Sequence, residues 1–188
     1  MKIIYLHGFN SSSNSKKAQI LKNSEVVKNL GFEIILVDLP NSPGKAIQEI
    51  EKVIKTNSEN ISLVGSSLGG FYASFLSNKY NLRSVTINPV ISSHLRNMKD
   101  LIGLQTNYHS NKKYKFTTEM FNELLRLKVK TLKEPLNHLC LIKLKDEVLD
   151  HKKTINYFDK AIMNIDHHGS HEYSDFESKI PLILDFLH

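Results

Sequence analysis

A parallel β-sheet covered by helices on both faces, the α/β class, is the architecture that three features of the sequence predict. Short, uninterrupted apolar runs alternate along the chain with segments of helical periodicity, and strands buried on both faces read in this way. The length of 188 residues suits one domain. A hydrophobic content of 40% is enough for a sizeable core and too high for a disordered chain.

The elements follow in order. "KIIYL" (2–6) predicts the first strand. A small-residue cleavage site is missing after its short apolar stretch, so it reads as a strand rather than a secretory leader. Ser13 or Asn14 is the expected cap of a helix running to about Asn29, closed by Gly31. "FEIILV" (32–37) is the second strand, and "DLPNSPG" turns the chain into a helix with Ala46, Ile47, Ile50, Val53 and Ile54 at helical spacing. "ISLVG" (61–65) is the third strand, with a helix from Leu68 to Lys79 behind it. "SVTIN" (84–88) is the fourth and ends at Pro89. "HLCLIKL" (138–144) is the fifth, with a helix near 151–159, and "AIMNI" (161–165) is the sixth. The last helix ends in "LILDFL"; Ser174 and Glu177 have capping-box spacing, and Pro181 either kinks this helix or marks its first turn.

Residues 91–135 break the rhythm. They predict no strand but contain an amphipathic helix starting near Thr117 or Thr118, with Phe121, Leu124, Leu125, Lys128 and Leu132 along it. An insertion of this size after the fourth strand is usually functional or disordered, and a helical cap over a site is the reading adopted. It also carries nine Lys and Arg against four Asp and Glu, most of the chain's formal charge of +6. Steering of an anionic substrate, such as an acyl-CoA thioester, and ordinary solvated lysines both fit this excess.

Several classes are excluded as expectations. Arginine occurs only at 83, 96 and 126, and no arginine-rich stripe interleaves with aromatics, so nucleic acid is not an expected partner. No apolar run approaches the about eighteen residues of a membrane span. The lone Cys140, inside "LCLI", reads as a buried thiol. A soluble, cytoplasmic protein is expected.

"VGSSLGG" (64–70) carries the chemistry. Gly65-x-Ser67-x-Gly69, between an apolar strand and a helix, has the spacing of a nucleophile elbow. The chain turns so sharply that residues two before and two after the apex have no room for a β-carbon. Ser67 satisfies this and Ser66 does not, which makes Ser66 a packing neighbour. A purely structural glycine turn is the competing reading. A phosphate loop fails for want of a Lys after the second glycine.

A serine needs a base and a place for negative charge. "LHGFN" ends the first strand, and in a doubly wound sheet the loops after strands 1 and 3 meet at one crevice. The Phe9 and Leu68 amides are therefore the expected oxyanion hole, with His7 packing structurally. In the order Ser, acid, His, Asp146 is the first carboxylate past strand five, with Glu147 and Asp150 as rivals. His171 follows the Gly169-Ser170 bend after strand six, with His168 next in line. His167 and His171 are four apart, but the intervening glycine disfavours a helical zinc pair, so neither a metal nor a cofactor is expected.

Together these segments resemble the α/β-hydrolase superfamily, and more closely the small bacterial YqiA-like esterases. The likeness rests on "YLHGFNSS" (5–12), "VGSSLGGFYA" (64–73), "INP" (87–89), "DEVLD" (146–150), "GSH" (169–171) and the closing "DFL". The resemblance implies a minimal α/β hydrolase with a six-stranded, mostly parallel sheet in the order 2-1-3-4-5-6. It also implies cleavage of carboxylic esters or thioesters of small acyl substrates, with the triad on Ser67, Asp146 and His171. Two positions depart from the family pattern: Lys145 stands where glycine often precedes the aspartate, and His168-Gly169-Ser170-His171 replaces a Gly-Gly-Asn-His loop. A non-catalytic binding module on the same scaffold is the alternative, and a lyase or peroxidase using the same residues would share the fold.

Overall fold

The computed structural model describes residues 1–57 and 60–188. In chain order its elements are β1 (Lys2–Leu6), α1 (Lys16–Asn23), α2 (Glu25–Asn29), β2 (Glu33–Val37), α3 (Pro43–Thr56), β3 (Ile61–Ser66), α4 (Leu68–Tyr80) and β4 (Ser84–Ile87). They continue with α5 (Leu95–Met98), β5 (Gly103–Thr106), β6 (Lys113–Phe116), α6 (Thr118–Arg126), β7 (His138–Lys143), α7 (His151–Tyr157), β8 (Ile162–Asp166) and α8 (Ile180–Leu187). The main sheet runs β2-β1-β3-β4-β7-β8, with every neighbouring pair parallel. This is the predicted order, with the last two numbers displaced by a hairpin in the insertion.

Alternate strand residues face opposite layers, as the period of two requires. Ile4, Leu6 and Leu63 pack with α3, α4 and the insertion, whereas Ile3, Tyr5, Val64 and Val85 pack with α1, α2 and α8. Each fully buried Ile or Leu contributes about 1.5–3 kcal/mol relative to exposure. A third cluster, around Cys140, Ile142 and Phe158, lies beneath α7. No helix of the described residues is long and apolar enough to cross a membrane.

Three expectations are corrected. Residues 91–135 are not purely helical: β5 and β6 form an antiparallel hairpin, pairing Leu104 with Lys115 and Gln105 with Tyr114. Half-buried Gln105 and Tyr114 occupy its inner face while Leu104 is 71% exposed, so the apolar-in pattern that marks a strand is inverted on β5. The first predicted helix breaks at Ser24, whose extended backbone ends α1 and starts α2, and Ser15 rather than Ser13 or Asn14 precedes α1. The Ser174–Glu177 capping box does not form. A 3₁₀ turn (Phe176–Lys179) leads into α8, and Pro181 sits in its first turn, where its missing N–H costs nothing.

The amphipathic helix of the insertion is α6, with the Thr117 hydroxyl accepting from the Met120 amide at 3.3 Å. It docks on α3. The Glu123 carboxylate accepts from the Ser42 hydroxyl (2.8 Å) and the Gly44 amide (3.0 Å), placing an anion at the positive end of that helix.

Candidate active site

The β3–α4 turn is as tight as its glycines require. A β-carbon on Gly65 would lie 2.2 Å from the Gly69 carbonyl oxygen, and one on Gly69 would lie 2.0 Å from the Leu6 carbonyl oxygen. Ser67, at the apex, has φ 54° and ψ −117°, a conformation that costs a non-glycine residue about 1–3 kcal/mol. Its backbone is held on both sides. The amide donates to the Ile87 carbonyl (3.0 Å), and the carbonyl accepts from Gly70 (3.0 Å) and Val90 (3.0 Å). Ser66 is buried in the last position of β3.

His171 lies in the loop after β8, and the Ser67 hydroxyl donates to its Nε2 at 3.0 Å. Its Nδ1 donates to Asp146 Oδ2 at 2.8 Å, which fixes the tautomer. The other Asp146 oxygen accepts from the Val148 and Leu149 amides, both at 2.8 Å. Burial of this side chain, only 3% exposed, opposes its ionisation. The hydrogen bond from His171 together with the two amides outweighs burial and holds the carboxyl below its ordinary range. Three loops far apart in sequence thus bring a hydroxyl, an imidazole and a carboxylate into line.

The rival residues lie elsewhere. Glu147 accepts from the His171 backbone amide at 3.0 Å rather than from its ring. Asp150 caps α7, accepting from the Lys152 amide at 3.1 Å. His167 and His168 are exposed on the same loop as His171. His7 is buried. Its Nε2 accepts from the Leu39 amide (3.0 Å) and its Nδ1 donates to the Gly8 carbonyl (2.9 Å), a neutral ring whose burial pushes its pKa down.

Two residues to which the sequence assigned no role hold the histidine loop. Asn88, buried at the end of β4, donates through Nδ2 to the Ser170 (3.1 Å) and His171 (3.2 Å) carbonyls and accepts from the Lys143 amide (2.9 Å). Lys143, also buried, donates to Asp166 (2.8 Å) and Asp175 (2.6 Å), one at each end of the loop, and lies over the Tyr173 ring. A lysine inside an apolar strand is itself a sequence signal, because a buried charge requires partners.

Around Ser67 is a cleft of about 540 Å³. Val90, Met98, Leu101, Val148 and Leu149 form an apolar part of its wall, and Asn10, Ser11 and Lys17 belong to a polar part. Phe9 and Leu68 line it as well, and among the described residues neither of their amides donates to a protein acceptor. None of the nine basic residues of the insertion lines this cleft; Lys113 and Lys115 stand on the outer face of the hairpin.

The model of an uncharacterised protein family, UPF0227, matches residues 2–188. The chain belongs to UPF0227. Among solved structures this UPF0227 chain is similar to α/β hydrolase domain-containing protein 10 from mouse, at 18% identity and a TM-score of 0.77, over 99% of this chain and 89% of that one. It is similar to Est1E from Butyrivibrio proteoclasticus with ferulic acid bound, at 13% identity and a TM-score of 0.76, over 99% and 89%. A monoacylglycerol lipase from Paleococcus ferrophilus matches at 16% identity and a TM-score of 0.74, over 99% and 93%. At these identities the likeness is one of fold, and the fold is that of the α/β hydrolases.

Proposed function

We propose that this protein is a serine hydrolase that cleaves carboxylic ester or thioester bonds of small acyl substrates through an acyl-enzyme. The observation that carries this reading is the line from Ser67 Oγ through the His171 ring to Asp146, with bonds of 3.0 and 2.8 Å, opening on a partly apolar cleft. Ser67 Oγ attacks the acyl carbonyl carbon as its proton passes to His171 Nε2, and the carbonyl π pair moves onto oxygen. Asp146 holds the imidazole in the required tautomer and stabilises the imidazolium. The oxyanion is received by the Phe9 and Leu68 amides, the latter at the N-terminus of α4, each donor worth roughly 3–4 kcal/mol in comparable sites. The tetrahedral intermediate expels the alcohol or thiol, which takes the proton from His171. Water then attacks the acyl-enzyme, passes a proton to His171 and releases the carboxylic acid as Ser67 is reprotonated.

In this reading the insertion is a cap, with Met98 and Leu101 giving part of the acyl pocket. Its lysines, none of which lines the cleft, act on an anionic substrate only at long range. Replacing Ser67 with Ala is expected to lower p-nitrophenyl butyrate turnover by at least about 10³-fold with the circular dichroism spectrum retained. Undiminished turnover contradicts the assignment, and wild-type protein that binds esters without cleaving them supports a binding module instead.

A further inference from the structure

The hairpin of the insertion grips the turn that carries one of the two amides assigned above to the oxyanion. That turn runs from Gly8 to Ser11, closed by the Ser11 amide donating to the Gly8 carbonyl at 3.3 Å. Its corner is Asn10, at φ 57°, a left-handed conformation that asparagine tolerates better than most residues. Asn10 is buried, and both ends of its carboxamide are taken by residues more than ninety positions away. Its Nδ2 donates to Gln105 Oε1 at 3.0 Å, and its Oδ1 accepts from the Tyr114 hydroxyl at 2.6 Å.

The orientation of these amides follows from the network. Gln105 Nε2 donates to the Leu101 carbonyl at 2.7 Å, which leaves Oε1 facing Asn10 and requires Nδ2 of Asn10 to face Gln105. Burial pushes the Tyr114 hydroxyl up to about 12, so it remains a donor throughout the neutral range. The backbone is tied as well: the Tyr108 amide donates to the Asn10 carbonyl and Asn107 Nδ2 to the Ser11 carbonyl, both at 2.8 Å. The Phe9 ring meets Phe116 edge to face, with centroids 5.4 Å apart. Gln105, Tyr114 and Phe116 share the inner face of one hairpin, as its register requires.

We infer that Asn10, Gln105 and Tyr114 are positioning residues that hold the Phe9 amide where the oxyanion forms, so that the insertion builds the reacting centre as well as enclosing it. This rests on the hydrolase reading. A donor aimed at the developing charge is effective only when its direction is fixed beforehand, and a short turn with a free amide does not fix it alone.

The test pairs Tyr114→Phe, which deletes one hydroxyl, with Asn10→Asp, which keeps the Tyr114 bond and removes the donor to Gln105. Each is assayed for p-nitrophenyl butyrate turnover and for inhibition by an alkyl trifluoromethyl ketone. Ser67 adds to that ketone as its proton passes to His171, leaving a hemiketal oxyanion in the same hole. Each variant is expected to lose about threefold to tenfold in kcat, to bind the ketone more weakly by the same factor, and to keep KM, and Tyr114→Phe is expected to leave the pH–rate profile unchanged as well. Turnover and ketone affinity within about twofold of wild type in the properly folded Tyr114→Phe variant, even with a lowered Tm, overturn the positioning role. Wild-type protein that neither turns over ester nor reacts with the ketone overturns the hydrolase reading, and the positioning role with it.

Discussion

Two serine–histidine contacts sit at opposite ends of the same sheet, and they differ in almost everything except residue type. At the C-terminal rim, Ser67 and His171 follow β3 and β8 and face a cleft, and the far side of the His171 ring meets a carboxylate. At the N-terminal end, Ser84 and His138 open β4 and β7 and pair across the ladder, with Ser84 Oγ donating to His138 Nδ1 at 2.8 Å. His138 Nε2 donates to Ser77 Oγ at 3.3 Å, and that hydroxyl donates onward to the Leu82 carbonyl. His138 is 1% exposed, and among the described residues no carboxylate is hydrogen-bonded to its ring. Burial pushes its pKa down to about 4, so the ring cannot accept a proton near neutrality. A hydroxyl beside an imidazole is ordinary core chemistry. It is prepared for catalysis only where a carboxylate favours the imidazolium and a substrate can reach the oxygen.

The largest expected effect breaks the rim side of this comparison. Asp146→Asn leaves the shape of the site intact but removes the charge that favours imidazolium, and steady-state turnover of p-nitrophenyl butyrate is expected to fall by about 10³- to 10⁴-fold. Ser84→Ala, applied to the other end, is expected to leave kcat within about twofold while lowering Tm, since it strips one partner from a buried ring. Comparable losses of kcat in the two variants would erase the distinction between the two ends.

A smaller effect sharpens the buried side. Because the folded-state pKa of His138 is lowered to about 4, the unfolded chain binds more protons than the folded one between about pH 4 and the ordinary histidine value near 6.5. Stability therefore rises with pH across that interval, and roughly 3 kcal/mol is lost on acidification through it. Urea unfolding of the wild type and His138→Asn as a function of pH is expected to show a shallower acid slope in the variant. Parallel curves would mean that His138 titrates alike in the folded and unfolded chain.

The main sheet was legible because its strands are buried on both faces, so that "KIIYL" and "ISLVG" read as apolar runs with no alternation to interpret. Ser67 was legible because the crowding at Gly65 and Gly69 is local, within one turn. Asp146 and His171 were legible from their places after the last two strands, from the Gly169-Ser170 bend and from the family resemblance, and the structure places the His171 ring between Asp146 and Ser67. The hairpin was missed because "KYKF" does alternate, yet its partner "GLQT" turns glutamine inward and leucine outward. The loop-holding bonds of Asn88, and the bond of Glu147 to a backbone amide rather than to an imidazole, were missed for a different reason. Their partners are a backbone amide and carbonyls of a loop distant in the chain, and nothing near them in the sequence announces those bonds. The turn that carries Phe9 shows the same limit: "HGFN" indicated where Phe9 would lie, and the residues that grip it sit in the part of the chain with the weakest pattern.

The most direct measurement is labelling of the folded protein with a fluorophosphonate, followed by mass spectrometry of its peptides. Phosphonylation at Ser67, absent at Ser66, Ser77 and Ser84 and abolished by Asp146→Asn or acid denaturation, is the expected result. An unlabelled protein, or a label spread over several serines, would contradict the claim that position in the fold alone makes one of these hydroxyls a nucleophile.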